Sequence, residues 1–276
     1  MIRLPTFNLG VNDLKDVQRS ADKRGIAIQK VGINDAHLPF LIKTKDGSFQ
    51  QVLAKIKFTV DLPMEYKGTH MSRFLEILSD WNQKPVGQKE MDHILGDALE
   101  KLDAQSSYLK IEFKYFIDKI APVSHRKSVL DLDCSFTAEK AHGDTMKFIL
   151  GLHVPFTSLC PCSKEISKYG AHNQRGLMKV KIQLAENATD LCIEDVAAIM
   201  EQQGSCPIYP LLKREDEKYV TETAYENPKF VEDILRDLVI ALRKIDNVVW
   251  FSIECENYES IHNHSAYASH VEFVEN

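Results

Sequence analysis

The stretch "GAHNQRGLMKVKIQL", Gly170–Leu184, decides the fold because it joins a short polar motif to a strand. Met178, Val180, Ile182 and Leu184 alternate with polar residues, the period of a half-buried strand. Its head, G-x-H-x-x-R, occurs again in "GTHMSRF", Gly68–Phe74, and there too a strand-like run comes first, with Val52, Ala54, Ile56, Phe58, Val60 and Leu62 in alternation. Outward from Gly170, strands are expected at Met146–Val154, Val249–Cys255 and Tyr267–Phe273, with helices at 193–202 and from Asn227, a capping residue followed by Pro228, to about Ile245. The second half therefore reads β-β-α-α-β-β. The first half reads as the same unit less one strand: the run at Val52, helices near 72–81 and 89–102, and strands at Leu109–Tyr115 and Leu130–Phe136. Shared motif and shared order together predict an internal duplication. The implied class is α+β, with antiparallel sheets and helices on one face. The predicted organisation is an N-terminal arm (1–45), a first module (46–140) and a second module (141–276) that carries the chemistry.

Composition narrows the function. At 276 residues, 44% hydrophobic and 27% charged, the chain can bury a sizeable core. A net charge of −6 argues against a nucleic-acid or membrane-surface binder. No apolar run approaches the roughly 20 residues of a membrane span, and the start lacks a secretory pattern, so a cytoplasmic location is expected. The six cysteines are scattered except for Cys160 and Cys162, which argues against a disulfide scaffold and for mostly buried, inert thiols.

Three segments hold the chemistry. In "SLCPCSKEISKYGAHNQR" a thiol, Cys160, and an imidazole, His172, lie twelve residues apart across a connection. They suit an open divalent metal site, although spacing alone favours a surface loop with a buried cysteine and a hydrogen-bonded histidine. In "ENYESIHNHSAYA" an extended backbone would point His262 and His264 the same way, beside Glu256 and Glu259, for metal ligation, proton transfer or a solvated hairpin end. The acidic run Glu215, Asp216, Glu217, Glu222, Glu226 and Glu232 reads mostly as a solvated face and loop, with one carboxylate available as an oxygen ligand to a metal. Lys164, Lys168, Arg175, Lys213 and Arg214, with His70 and Arg73 from the first half, favour a small anionic substrate. No P-loop or dinucleotide-binding glycine motif is present.

Taken together, "SLCPCSKEISKYGAHNQRG", "LLKREDEKYVTETAYENPKFVEDILRD" and "ECENYESIHNHSAYA" resemble the type IB class of GTP cyclohydrolase I, over essentially the whole chain. The resemblance implies tandem tunnelling-fold (ββααββ-like) modules in a homotetramer with sites near subunit interfaces. It also implies conversion of GTP and water to 7,8-dihydroneopterin triphosphate and formate, the first step of folate synthesis. One divalent ion per site (manganese, zinc or another) is implied on Cys160, His172 and Glu217, with Glu215 the second choice for the acid. That ion would activate water for attack at C8 of guanine. Glu232 would grip the amide and amino edge of the base, while Glu259, His262 and His264 would lie at the metal, one imidazole protonating the ring nitrogen. Arg175, Lys164, Arg73 and His70 are the candidates for the triphosphate, and Cys162 is expected to pack. Two rival readings are a tunnelling-fold thiol enzyme, such as the nitrile reductase of queuosine synthesis, and a non-catalytic metal-binding protein.

Overall fold

The computed structural model describes residues 16–186, 188 and 191–274. The first half contains β1 (Ile28–Lys43), β2 (Phe49–Leu62), α1 (Met71–Trp81), β3 (Pro85–Val86), α2 (Gln88–Leu102), β4 (Ser106–Ile120) and β5 (Lys127–Ala141). The second contains β6 (Lys147–Leu159), α3 (Pro161–Ile166), β7 (Asn173–Leu184), α4 (Ile193–Glu201), β8 (Cys206–Pro207), α5 (Arg214–Glu226), α6 (Val231–Leu242), β9 (Val248–Asn257) and β10 (Ala266–Phe273). All the strands join one sheet, in the order β10-β9-β7-β6-β5-β4-β2-β1-β3, with β8 alongside β6. The fold is α+β, and apart from β3, which runs parallel to β1, the pairings are antiparallel.

Alternation explains the layering. Along β4, Leu109, Ile111, Phe113, Tyr115 and Ile117 are buried while Lys110, Glu112, Lys114 and Phe116 face outward. The inward face of the sheet meets the apolar stripes of the helices: Phe74, Ile77 and Leu78 of α1, Met91, Ile94 and Leu95 of α2, Val196 and Met200 of α4, and Ile234, Leu238 and Leu242 of α6. Each such side chain contributes about 1.5–3 kcal/mol when fully buried. The outward face is laced with ion pairs, including Lys55–Asp35 at 3.0 Å and Lys114 with Asp131 and Asp133, both at 2.9 Å. The two halves are joined by pairing of β5 with β6, from Asp133↔His153 to Glu139↔Lys147.

The strand missing from the first half is β1, which occupies residues expected in the arm and pairs with β2 from Ile28↔Leu62 to Lys43↔Phe49. Register shifts between Ile28 and Val31 and between Ile33 and Ala36, with Asp35 at φ 62°, break its alternation and hide it in the sequence. Residues 1–15 of that arm lie outside the described residues. Both halves thus run from two long strands through helices to two more strands, but the second has three helices there (α4, α5 and α6) where two were expected, and the G-x-H-x-x-R motif is not part of the repeat. Gly68 and His70 precede the helix α1, whereas Gly170, at φ 72°, and His172 precede the strand β7. Asn227 is also not the cap of the long helix. It ends α5, and α6 starts after Phe230, whose N–H donates to Asp233 Oδ2 at 3.1 Å.

Gly176 lets three strands close up beside the polar motif. A β-carbon there would stand 2.3 Å from Phe156 Cζ and 2.7 Å from the Glu256 carbonyl oxygen. Phe156 is fully buried and has no room to retreat. Gly176→Ala is expected to cost about 1–3 kcal/mol by overpacking, seen as a lower midpoint in thermal or urea unfolding; an unchanged midpoint would contradict this contact.

Candidate active site

The site grows from the end of β6. There the β6–β7 ladder runs Thr157↔Arg175, Ser158↔Gln174, Leu159↔Asn173. One further rung forms where the Cys160 N–H donates to the His172 carbonyl at 3.1 Å. Pro161 has no N–H and a helical φ, so it ends the strand and opens α3 with Cys160 as the N-cap. The Cys160 Sγ accepts the Ser163 N–H at 3.4 Å. Ser163 then binds both partners: its hydroxyl donates to the Cys160 carbonyl at 3.2 Å and accepts the His172 N–H at 3.2 Å. Thiol and imidazole therefore start from backbones locked side by side. This is the juxtaposition that the twelve-residue spacing left open.

The His-rich tail arrives at the same corner. The Tyr258 N–H donates to the Arg175 carbonyl at 2.9 Å, and Ser260 Oγ lies 3.3 Å from His172 Nδ1. Gln174 Oε1 lies closer to that nitrogen, at 2.9 Å. His262 and His264 stack with ring centroids 5.3 Å apart and 19° between planes, in the bent connection between β9 and β10 and not on the extended backbone that the i, i+2 reading assumed. Both rings are exposed, as is Glu259's neighbour Ser260.

The acidic segment is strapped to the same strand end. The Lys229 N–H donates to the Leu159 carbonyl at 3.1 Å, and the Ser158 hydroxyl donates to the Lys229 carbonyl at 3.0 Å. This places the start of α6, with an exposed Glu232 in its first turn, next in chain to Cys160's support. Glu232 does not turn into the core of its own chain; the apolar stripe of α6 begins at Val231 and Ile234 instead. Glu217 is exposed in the first turn of α5. Its neighbour Asp216 is fully buried and takes hydrogen bonds from Val123 N–H, Ser124 N–H and Lys213 N–H, all at 2.8 Å, and from the Ser124 hydroxyl at 2.6 Å.

The chain matches the family of type I GTP cyclohydrolases (folE2) over residues 14–268. It belongs to that family. The GTP cyclohydrolase FolE2 of Citrifermentans bemidjiense is 51% identical over 256 residues, covering 93% of this chain and 94% of that protein. The GTP cyclohydrolase FolE2 of Geotalea uraniireducens is also 51% identical, covering 93% and 92%. Among solved structures, uricase from Arthrobacter globiformis superposes with a TM-score of 0.50 at 8% identity, over 89% of this chain and 93% of that one. That likeness concerns the fold alone, the tunnelling fold expected from the sequence.

Family membership identifies a hydrolase, and the corner can be tested for what it would hold. A thiol and an imidazole together suit a borderline divalent metal. With His172 Nδ1 engaged by Gln174 and Ser260, its Nε2 is the nitrogen left for ligation. Among the described residues, no three His, Cys, Asp or Glu side chains are grouped so as to hold a metal ion, so Glu217 is not gathered with Cys160 and His172 inside one chain. The basic candidates divide. Arg175 is exposed on β7, while the Lys164 ammonium donates to the Tyr225 carbonyl and lies 4.3 Å from the centre of that ring. His70 and Arg73 sit in the first half, His70 Nε2 3.1 Å from Asp16 Oδ2 and Arg73 donating to the Lys101 carbonyl at 2.8 Å.

The clefts of about 830 and 810 Å3 lie elsewhere, one between Lys45, Gln50, Lys119 and Tyr209, the other on the polar sheet face by Lys55, Lys114 and Trp250. The remaining cysteines behave largely as expected: Cys134, Cys206 and Cys255 are buried, and burial pushes the Cys255 thiol up to about 12. Cys162 is the exception. It is exposed in α3, because the N-cap position draws Cys160 and not Cys162 back onto the helix. Gln174, Ser163 and Ser260 were not anticipated; only Gln174 had a signal, its i+2 spacing from His172 at the start of a strand.

Asp216 makes the attachment of α5 depend on pH. Burial works to raise its pKa, but the hydrogen bonds from Ser124, Lys213 and Val123 prevail and hold it well below the usual carboxylate range. Because the folded pKa lies below the unfolded value of about 3.9, this stabilisation is complete above that value and is lost as pH falls through the folded pKa. Asp216→Asn should therefore unfold at lower temperature than the parent at pH 7, with the gap shrinking below about pH 4. A gap of equal size at pH 7 and pH 3 would refute this role.

Proposed function

We propose that this chain converts GTP and water to 7,8-dihydroneopterin triphosphate and formate, opening tetrahydrofolate synthesis in the cytoplasm. The observation that carries the reading is the corner itself, where Cys160, His172 and the tail at Ser260 meet at one strand end. In this reading Cys160 and His172, with Glu217 from the same or a neighbouring subunit, hold one divalent ion (manganese, zinc or another). When bound, such an ion lowers the pKa of water to near neutrality and so makes a nucleophile available for C8 of guanine.

The chain's own residues do the rest. The Glu232 carboxylate has two oxygens that match the adjacent N–H donors on the amide and amino edge of guanine, so it orients the base and fixes where C8 falls. His262 and His264 hold and deliver the proton that the ring nitrogen needs before the five-membered ring opens, with Glu259 beside them. Arg175 is the best placed cation for the triphosphate, since it is exposed on the strand that starts at the corner. Lys164, Arg73 and His70 have partners within the chain, so His70 and Arg73 would serve a site of an adjacent subunit. An assembly with sites at subunit boundaries, such as a homotetramer, accounts for an open corner and an exposed Glu232. The edge strand β10, which turns Tyr267, Val271 and Phe273 outward, offers it a surface. A module boundary near residue 140 falls at the β5–β6 connection in this scheme.

The test is turnover of GTP with a panel of divalent metals, read as formate and as pterin fluorescence after oxidation. Activity that a chelator abolishes is expected; metal uptake with no turnover would favour a binding protein. Cys160→Ala should abolish formate release while leaving the circular dichroism unchanged. Glu232→Gln should weaken GTP binding by about tenfold or more at unchanged metal content, and equal GTP affinity would remove its base-gripping role.

A further inference from the structure

An imidazole can give a lone pair to a metal from only one ring nitrogen at a time, and the hydrogen bond made by the other nitrogen decides which. At His172 that other nitrogen is Nδ1, 2.9 Å from Gln174 Oε1 and 3.3 Å from Ser260 Oγ. An amide oxygen only accepts. Nδ1 must therefore carry the hydrogen, and Nε2 is left with its lone pair outward. The opposite amide orientation would put a donor against Nδ1 and leave an N–H on Nε2, where no metal could bind.

Gln174 is built to act on the ring and not on solvent. It is 8% exposed, it lies two residues after His172, whose carbonyl continues the β6–β7 ladder by accepting the Cys160 N–H, and its own backbone pairs with Ser158. Side chains two apart in extended chain share a face, and with His172 held on the ladder just before β7 the amide meets the imidazole at 2.9 Å. Ser163 holds the His172 backbone from the other side at 3.2 Å. The ring thus has its backbone fixed by Ser163 and its tautomer fixed by Gln174.

We propose that Gln174 is a positioning residue: its side-chain oxygen holds His172 in the Nδ1–H tautomer and presents Nε2 to a divalent cation. The inference rests on the reading of His172 as a ligand, and it adds a residue that neither touches the metal nor meets the substrate. Ser260 supplies a second oxygen to the same nitrogen, which couples the tail loop to the ligand's tautomer.

Cobalt(II) is the probe, titrated into the metal-stripped full-length protein against a competing chelator and followed by its visible absorption. Removing the acceptor with Gln174→Leu should weaken cobalt binding about 10–100-fold, and Gln174→Glu, a stronger acceptor of similar length, should bind at least as tightly as the parent. Nitrogen-15 chemical shifts of His172 in the metal-free proteins supply the readout that a merely structural role would not move. The Nδ1–H form should dominate in the parent and in Gln174→Glu and give way to the Nε2–H form or a mixture in Gln174→Leu. Parent-like cobalt affinity and tautomer in a folded Gln174→Leu would overturn the proposal while His172→Ala still abolishes binding. If Gln174→Leu does not fold, weaker cobalt binding by Gln174→Glu overturns it. Unchanged cobalt binding in His172→Ala would overturn the ligand reading and the role of Gln174 with it.

Discussion

Much of this structure depends on how the last two residues of β6, and Cys160 just after them, satisfy their polar groups. A strand that ends in the interior leaves donors and acceptors that water cannot reach, and each must find a partner in the protein. The Ser158 side chain, 1% exposed, donates to the Lys229 carbonyl and accepts from Asn257 Nδ2 at 3.0 Å. The Leu159 N–H donates to Ser205 Oγ at 3.1 Å, and its carbonyl takes the Lys229 N–H. The Cys160 N–H donates to the His172 carbonyl. Those bonds tie together β6, β7, β9, the β8 region and the α5–α6 connection, drawing the three chemically unusual segments of the sequence to one place.

The same constraint separates roles among like residues. Cys134, Cys206 and Cys255 lie on the buried side of strands, where an apolar setting keeps a thiol protonated and inert. Cys160 differs because the chain leaves the sheet at Pro161, which turns its sulfur toward the Ser163 amide. Among the carboxylates at the start of α5, Asp216 spends its hydrogen-bonding capacity on the β4–β5 turn, and its neighbours Glu215 and Glu217 remain exposed. One residue anchors the helix so that the next can face outward.

Most long strands and the amphipathic helices were legible because burial on one face imposes a period of 2 or 3.6 on the side chains. Where that period is interrupted, legibility fails. The bulges of β1 shift its register twice, so a strand of 16 residues looked like an irregular arm. The helix α5 has only Asp216 and Ala224 buried, so it carries little apolar pattern and read as an acidic loop. The repeated G-x-H-x-x-R motif misled for a related reason: six residues specify a local polarity, not the element that follows. In one copy an apolar stripe makes a helix, and in the other alternation makes a strand.

The sequence by itself determined the α+β class, the family, and the three segments that matter, since composition, periodicity and rare side chains are properties of the chain. The stacking of His262 on His264 was not fixed that way, because the period of two holds only for extended backbone and these residues lie in a bend. Only the tertiary structure decided that His172 shares its ring nitrogen with Gln174 and with Ser260, 88 residues away in sequence. Only the tertiary structure left Glu232 exposed and gave Arg73 and His70 partners of their own. Contacts of that kind depend on which strands become neighbours and where each ends, and no local pattern encodes the distance between residues brought together by the sheet.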